Sequence, residues 1–206
     1  MSKVVIVDEE FLDACGDQLK VVANVAVGYN NIDVHACERR GVVATNTPKV
    51  LTETTADTAF GLMLMVTRRF GEGERVIRSR TPWQWGMFYN LGMGLQGKTL
   101  GIVGMGQIGI AMARRAKVFG MEIVYSDAYE LDADVAEELG ARKVELDVFE
   151  AEPTVHEGLL DRDDVVLLPH LGSGTVETRT AMAELAAQNV LDVLAGKPPV
   201  TPVTKV

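Results

Sequence analysis

Apolar runs and helical patterns alternate along the chain. Seven apolar stretches rich in valine and isoleucine are predicted strands, and they cover residues 3–7, 19–27, 41–46, 99–105, 121–127, 141–146 and 164–170. Their apolar residues run continuously, as expected for parallel strands in a sheet that is covered on both faces. Four stretches have the helical period and cover residues 52–79, 108–120, 132–140 and 175–196. This alternation predicts an α/β fold with a doubly wound parallel sheet.

Glycines mark the predicted ends of three of these helices. Gly120, Gly140 and Gly196 each follow the last apolar turn closely. Glycine adopts the left-handed backbone conformation that commonly ends a helix, so these three residues are predicted C-caps.

Composition and charge narrow the class of protein. The formal net charge is −9 and the basic residues are scattered, which argues against a nucleic-acid surface. The longest apolar helical run, residues 59–66, is well short of a membrane span. Cys15 and Cys37 have no disulfide or CxxC spacing, and His156 has no second ligand at metal spacing. We therefore expect a cytoplasmic protein without a metal site.

The strongest chemical signal is the segment TLGIVGMGQIG. Gly104, Gly106 and Gly109 form a GxGxxG motif directly after an apolar strand and at the start of a helix. Gly104 would allow the tight turn, Gly106 the approach of a pyrophosphate to the backbone, and Gly109 close packing of helix against strand. Asp127 ends the next strand, where a carboxylate can bind the adenosine ribose and repel a 2′-phosphate. The pattern predicts NAD binding, with NADH preferred over NADPH.

A second signal is His170 in VVLLPHLGSGT, at the end of a predicted buried strand. In open α/β sheets, ligands bind at the carboxyl ends of the strands. A histidine that only caps the strand is the alternative interpretation. The glycines behind His170 and the acidic segment DVFEAEP (147–153) favour a functional role, because a carboxylate beside an imidazole holds its tautomer.

Five blocks together resemble the D-2-hydroxyacid dehydrogenase family, in the style of glyoxylate/hydroxypyruvate reductases. They occur in family order and are NVAVGYNNID, NTPKVLTETTAD, LQGKTLGIVGMGQIG, DVFEAEP and LLPHLGSGT. The resemblance implies a Rossmann nucleotide domain and a flavodoxin-like substrate domain in a homodimer. It places residues 50–174 in the nucleotide domain and residues 1–49 with 175–206 in the substrate domain.

The resemblance also implies roles for single residues. His170 would be the acid/base that protonates the keto oxygen, and Glu152 would pair with its imidazole. The backbone of Val27 and Gly28 would hold the carboxylate of a small 2-oxo or 2-hydroxy acid. The cofactor-binding residues would be Gly104, Gly106, Gln107, Ile108, Gly109, Asp127, Thr55 and Gly172. Trp83 and Trp85 would lie either in a packed loop or in a segment that closes over the partner subunit's site.

The chain departs from the family pattern in two places. The family's arginine block, NTARGPVVDE in style, has no counterpart between ARKVELD and VFEAEP, and a strand–helix unit is missing near the start. Without that arginine a bound 2-oxo acid lacks a bidentate partner. Three hypotheses follow: a dehydrogenase of which this sequence omits segments, an internally deleted relative that binds NAD but turns over poorly, or a non-enzymatic NAD-sensing scaffold. The retained His170 and Glu152 favour the first.

Overall fold

The computed structural model describes residues 5–80, 82–144 and 170–203. The chain divides into two compact units. Unit 1 consists of Met1–Leu51 and Ser173–Val206, and unit 2 consists of Thr52–Gly172. Both units are of mixed α/β type and all their paired strands are parallel. This agrees with the predicted fold class.

The described residues of unit 1, 5–51 and 173–203, form a two-stranded parallel sheet and three helices. Its elements in chain order are α1 (Glu9–Cys15), β1 (Val21–Ala23), α2 (Val34–Arg39), β2 (Val43–Thr45) and α7 (Val176–Leu194). Strand β1 pairs with β2 in the register Val21 to Val43, and α7 packs against both strands. The core includes Leu12, Ala36 and Cys37, which are all at most 1% exposed.

Two aspartates start the short helices of unit 1. The Asp8 carboxylate accepts a hydrogen bond from Phe11 N at 3.0 Å, and the Asp33 carboxylate accepts one from Ala36 N at 2.9 Å. These N-caps satisfy backbone donors that the first helical turn leaves without partners. Helix α1 was not predicted, although Asp8 followed by two glutamates and a later Gly16 is a typical sequence pattern for a short capped helix.

In its described residues, 52–80, 82–144 and 170–172, unit 2 contains a three-stranded parallel sheet in the order β3-β4-β5. Its elements in chain order are α3 (Thr52–Thr67), α4 (Phe70–Arg78), β3 (Thr99–Val103), α5 (Gln107–Val118), β4 (Glu122–Ser126), α6 (Ala133–Leu139) and β5 (Arg142–Lys143). Ile123 and Tyr125 of β4 are buried with Ala113 and Ala116 of α5 and Leu139 of α6. The side chains of α3 pack against the same cluster, so one face of the sheet is covered by helices.

The face of β3 that points away from the covering helices is more exposed than predicted. Exposed and half-buried residues alternate along β3, and Val103 is 65% exposed. The prediction that both faces of the sheet are covered is therefore wrong for this strand. The predicted strand 164–170 falls outside the described residues except for His170, whose φ of +55° is incompatible with an extended strand.

The predicted helix 52–79 is two helices, because the chain breaks at Arg69, which has a φ of +53°. At this break the Thr67 carbonyl accepts a hydrogen bond from Met93 N at 2.6 Å. A Cβ on Gly92 would lie 2.4 Å from that carbonyl oxygen, so only glycine allows this approach. The Thr67 carbonyl thus accepts a hydrogen bond from Met93, whereas in a continuous helix it would accept one from the backbone N–H four residues later.

Several predicted strands are also shorter than expected. The predicted strand 3–7 is only a parallel bridge between Val7 and Ile32 among its described residues, and 19–27 is ordered as a strand only over Val21–Ala23. The predicted helix ends are confirmed: Gly120, Gly140 and Gly196 have φ angles of +73°, +60° and +72°.

Candidate active site

The glycine-rich turn between β3 and α5 has the geometry that its sequence predicts. Gly104 has a φ of +87°, which a residue with a side chain rarely adopts. A Cβ on Gly109 would lie 2.3 Å from the Gly104 carbonyl oxygen and 3.4 Å from Cγ2 of Ile102. A Cβ on Gly106 would meet no atom within 4 Å. Gly104 therefore makes the turn, Gly109 permits close packing of helix on strand, and Gly106 faces open space.

Helix α5 begins directly at this open space. Gly106 is its N-cap, and no side chain caps the helix there. The first helical residue, Gln107, is exposed, and its Oε1 lies 3.4 Å from the Thr52 hydroxyl at the start of α3. Ile108 is half-buried and Gly109 is buried. An uncapped helix N-terminus with room above it suits a phosphate group, because its N–H groups and the helix dipole both favour an anion.

Asp127 connects the end of β4 to this turn. One carboxylate oxygen accepts a hydrogen bond from Met105 N at 2.6 Å and the other accepts one from Tyr129 N at 3.0 Å. The N–H groups of Tyr129 and Met105 lower the pKa of the Asp127 carboxyl, and the ammonium group of Lys143 acts in the same direction. Each carboxylate oxygen has a second lone pair for another donor. The residues of this turn thus fit a dinucleotide, with a phosphate above Gly106 and a ribose beside Asp127.

Thr55 and Gly172 are 117 positions apart in the sequence, and the structure brings them together. A Cβ on Gly172 would lie 2.8 Å from Cγ2 and 3.3 Å from Oγ1 of Thr55. The Thr58 hydroxyl, one turn later on α3, donates to the Thr54 carbonyl at 3.1 Å and lies 3.3 Å from the Gly172 carbonyl. Helix α3 therefore contacts the segment that carries His170. Sequence reasoning missed Thr58, although its spacing of three residues from Thr55 puts both on one helix face.

His170 itself is exposed and has a left-handed backbone. Histidine is one of the few residues with a side chain that is enriched in this conformation. Glu152 lies outside the described residues, so its pairing with the imidazole of His170 stays a prediction.

Val27 and Gly28 lie in the loop after β1, and both are exposed. Their carbonyls accept hydrogen bonds from two asparagine side chains: Asn46 Nδ2 to Val27 O at 2.9 Å and Asn24 Nδ2 to Gly28 O at 2.6 Å. Neither asparagine was predicted to be a site residue. Both lie inside the predicted strands 19–27 and 41–46, whereas in the structure each one directly follows the shorter observed strand, β1 or β2.

Within residues 5–80, 82–144 and 170–203, no helix is long and apolar enough to cross a membrane. Within the same ranges no group of three His, Cys, Asp or Glu side chains is placed to hold a metal ion.

Comparison with known proteins relates this site to one enzyme family. Residues 2–204 match the family model described as D-isomer specific 2-hydroxyacid dehydrogenase, catalytic domain. The glyoxylate reductase of Thermococcus litoralis is 36% identical over 269 aligned residues, which cover 97% of this chain and 81% of that protein. The alignment is longer than the 206-residue chain, so at least 63 of its positions have no residue of this chain opposite them.

Solved structures agree with the sequence match. A Polaromonas sp. JS6 66 protein described as a D-isomer specific 2-hydroxyacid dehydrogenase, NAD-binding, has a TM-score of 0.84 at 27% identity, covering 97% of this chain and 83% of its own. The NADPH-dependent glyoxylate/hydroxypyruvate reductase of Sinorhizobium meliloti has a TM-score of 0.71 at 31% identity, covering 90% of this chain and 77% of its own.

Proposed function

This chain belongs to the D-isomer specific 2-hydroxyacid dehydrogenase family, and we propose that it reduces a small 2-oxo acid such as glyoxylate or hydroxypyruvate with NADH. The main support is the geometry of the glycine-rich turn. Gly104 makes the turn, Gly106 leaves open space above an uncapped helix N-terminus, and Asp127 stands beside it. These features are what a dinucleotide pyrophosphate and ribose require.

The proposed chemistry follows from the residues of the site. The chemistry that NADH would supply when bound at the glycine-rich turn is a hydride for the carbonyl carbon of the substrate. His170 donates a proton to the carbonyl oxygen, and the product is the 2-hydroxy acid. Glu152 would hold the imidazole in the tautomer that this proton transfer needs. The backbone N–H groups of Val27 and Gly28 would bind the substrate carboxylate, and Thr55 and Gly172 would contact the cofactor near its nicotinamide end.

We also propose that NADH is preferred over NADPH. The pKa of the Asp127 carboxyl is lowered by the backbone N–H groups of Tyr129 and Met105, so this group is negatively charged at neutral pH. A negative charge beside the ribose would repel a 2′-phosphate. The relative from Sinorhizobium meliloti depends on NADPH, so cofactor preference differs from the one proposed here in at least one similar protein. The preference of this chain is therefore to be measured directly.

The proposal extends to the organisation of the protein. Residues 50–174 would form the nucleotide domain, and residues 1–49 with 175–206 the substrate domain. The division of the chain near Leu51 and Ser173 supports these boundaries. The protein would act in the cytoplasm as a homodimer, and its free Cys15 and Cys37 suit a reducing compartment.

The test is the His170→Ala variant of the full chain. With glyoxylate and hydroxypyruvate as substrates, we expect NADH oxidation to fall by about 10²-fold or more, since general acid catalysis contributes roughly that much. NADH binding, followed by its fluorescence, should stay within a factor of about two, because the imidazole is not among the groups proposed to bind the phosphates and the ribose. Unchanged turnover would overturn the role of His170.

A second candidate function is an NAD-binding relative with impaired turnover. The observation that favours it is the length of the alignment with the glyoxylate reductase, which leaves at least 63 positions unmatched in a 206-residue chain. The same assay separates the two candidates. If the unmodified chain binds NADH but oxidises it no faster with either 2-oxo acid than without one, this second candidate is correct.

A further inference from the structure

The loop that carries Val27 and Gly28 is fixed by several hydrogen bonds. Backbone hydrogen bonds join Asn24 N to Thr45 O at 2.8 Å and Thr47 N to Ala26 O at 2.9 Å. The side-chain amides of Asn46 and Asn24 hold the two carbonyls that follow, Val27 O and Gly28 O. Three successive carbonyls, from Ala26 to Gly28, are thus bound by fixed donors of the protein.

These contacts determine where the intervening N–H groups point. In a planar trans peptide the C=O and N–H groups point in opposite directions. Because Ala26 O is bound by Thr47 N, the Val27 N–H points away from Thr47. Because Val27 O is bound by Asn46, the Gly28 N–H points away from Asn46. Neither N–H donates to an acceptor among the described residues, and a Cβ on Gly28 would meet no atom within 4 Å.

Asn46 is itself held rigidly by its neighbours in unit 1. Its backbone N donates to Thr201 O at 3.3 Å and its carbonyl accepts from the Thr201 hydroxyl at 2.7 Å. Thr201 is bound twice by the side chain of Asn189, which is 0% exposed on α7. A chain of hydrogen bonds therefore runs from a buried amide to the Val27 carbonyl.

We propose that Asn46 is a positioning residue that, together with the backbone of Thr47, holds the Gly28 and Val27 N–H groups ready to bind the substrate carboxylate. Asn24 supports the same loop one peptide further on, through the Gly28 carbonyl. Adjacent backbone N–H groups directed at one point form a common binding site for anions. The proposal deepens the proposed function and depends on it for the identity of the anion. Since the chain lacks a counterpart of the family's arginine block, backbone donors would supply a larger share of the interaction with the carboxylate.

The experiment compares Asn46→Leu with a matched control, Asn31→Leu. The Asn31 side chain also donates from Nδ2 to a backbone carbonyl of unit 1, Val5 O at 3.0 Å, but not in this loop. The probe is oxamate, a 2-oxo acid analogue that cannot be reduced, added to the NADH complex of the full chain. Amide resonances of Val27 and Gly28 in ¹⁵N–¹H spectra report on its binding, independently of turnover.

We expect both amide resonances to move on titration of the unmodified chain and of Asn31→Leu. In Asn46→Leu the Kd for oxamate should rise about tenfold, because a hydrogen bond to a charged group is worth roughly that factor or more. The KM for glyoxylate should rise similarly while the Kd for NADH stays unchanged. Asn46→Gln, which keeps an amide donor, should recover part of the loss. Asn24→Leu should act in the same direction if Asn46→Leu folds poorly.

Two results would contradict this proposal, and a third would contradict only the proposed function. An unchanged oxamate Kd in Asn46→Leu overturns the positioning role. Resonances that do not move in a chain that reduces glyoxylate show that the carboxylate binds elsewhere, which overturns this inference and leaves the dehydrogenase function intact. Resonances that move in a chain without reductase activity overturn the proposed function and support the anion site.

Discussion

At the scale of single residues, the glycine-rich turn contains two glycines that are needed for different reasons. Gly109 lacks room for a side chain, since a Cβ would lie 2.3 Å from a backbone oxygen. Gly106 has room, because no atom lies within 4 Å of its Cβ position, and its φ of −73° suits any residue. The fold therefore requires glycine at position 109, whereas glycine at position 106 is required only if a ligand approaches the backbone.

The pair Gly109→Ala and Gly106→Ala tests this difference. We expect Gly109→Ala to lower the free energy of unfolding by about 1–3 kcal/mol, the usual cost of overpacking. Gly106→Ala should unfold at the same temperature as the unmodified chain but bind NADH at least about tenfold more weakly, because its methyl group occupies the phosphate position. Thermal unfolding and NADH fluorescence measure the two effects. Normal NADH binding by a folded Gly106→Ala would argue against a pyrophosphate at this turn.

Asp127 is the residue that sets the predicted cofactor preference. In Asp127→Ala the negative charge beside the ribose is lost, so the ratio of kcat/KM for NADH to that for NADPH should fall by about tenfold. Asp134→Ala is a suitable control, because it removes a carboxylate from the first turn of α6 instead. If Asp127→Ala leaves the NADH-to-NADPH ratio unchanged, the proposed contact between Asp127 and the ribose is contradicted.

The same carboxylate links stability to pH. Its pKa is lowered in the folded protein from an ordinary value of 3.8, chiefly by the Tyr129 and Met105 N–H groups. A lowered pKa means that the ionised form stabilises the fold above that ordinary value and that the contribution disappears as pH falls through the folded value. The stability difference between the unmodified chain and Asp127→Asn should therefore be present at neutral pH and shrink below about pH 4.

At the scale of elements, α3 contacts the segment that carries His170. The closest approach is between Thr55 Cγ2 and the position of a Cβ on Gly172, at 2.8 Å. Gly172→Ala should therefore displace this segment and lower both the unfolding temperature and turnover. Thr55→Ser removes Cγ2 but keeps the hydroxyl, so the double variant should regain most of the stability lost in Gly172→Ala. An additive double variant would show that the two residues do not interact.

The helices and strands differ in how closely the sequence predicted them. The segment from β3 to β4 was predicted closely, because its strands, its helix and its glycines obey local rules. The break at Arg69 could not be predicted, because it depends on Met93 N binding the Thr67 carbonyl from 26 positions away. Asn46 and Thr58 were missed for the same reason: each acts on a carbonyl that is distant in sequence and close only in the fold.

The segment 82–93 presents an apolar surface that the described residues of unit 2 leave exposed. Trp85, Met87 and Phe88 are 83%, 77% and 80% exposed. The interpretation of this segment as a packed loop is therefore wrong for Trp85, while Trp83 stacks on Tyr89 with ring centroids 5.8 Å apart. Exposed aromatic residues and methionine in one patch are typical of protein interfaces. The remaining interpretation, contact with a partner subunit, accords with the homodimer proposed above.

The double variant Trp85→Ser/Phe88→Ser tests this interface. We expect light scattering to give a mass near twice 22.3 kDa for the unmodified chain and near 22.3 kDa for the variant at micromolar concentration. Aromatic residues that act as interface hot spots contribute about 2 kcal/mol or more each, so the loss of two would raise a dimer dissociation constant by roughly a thousandfold. Val176→Ser, which removes a 79% exposed apolar side chain from unit 1, should leave the mass unchanged. If the unmodified chain is monomeric, or the variant dissociates no more readily, the subunit contact does not involve this segment.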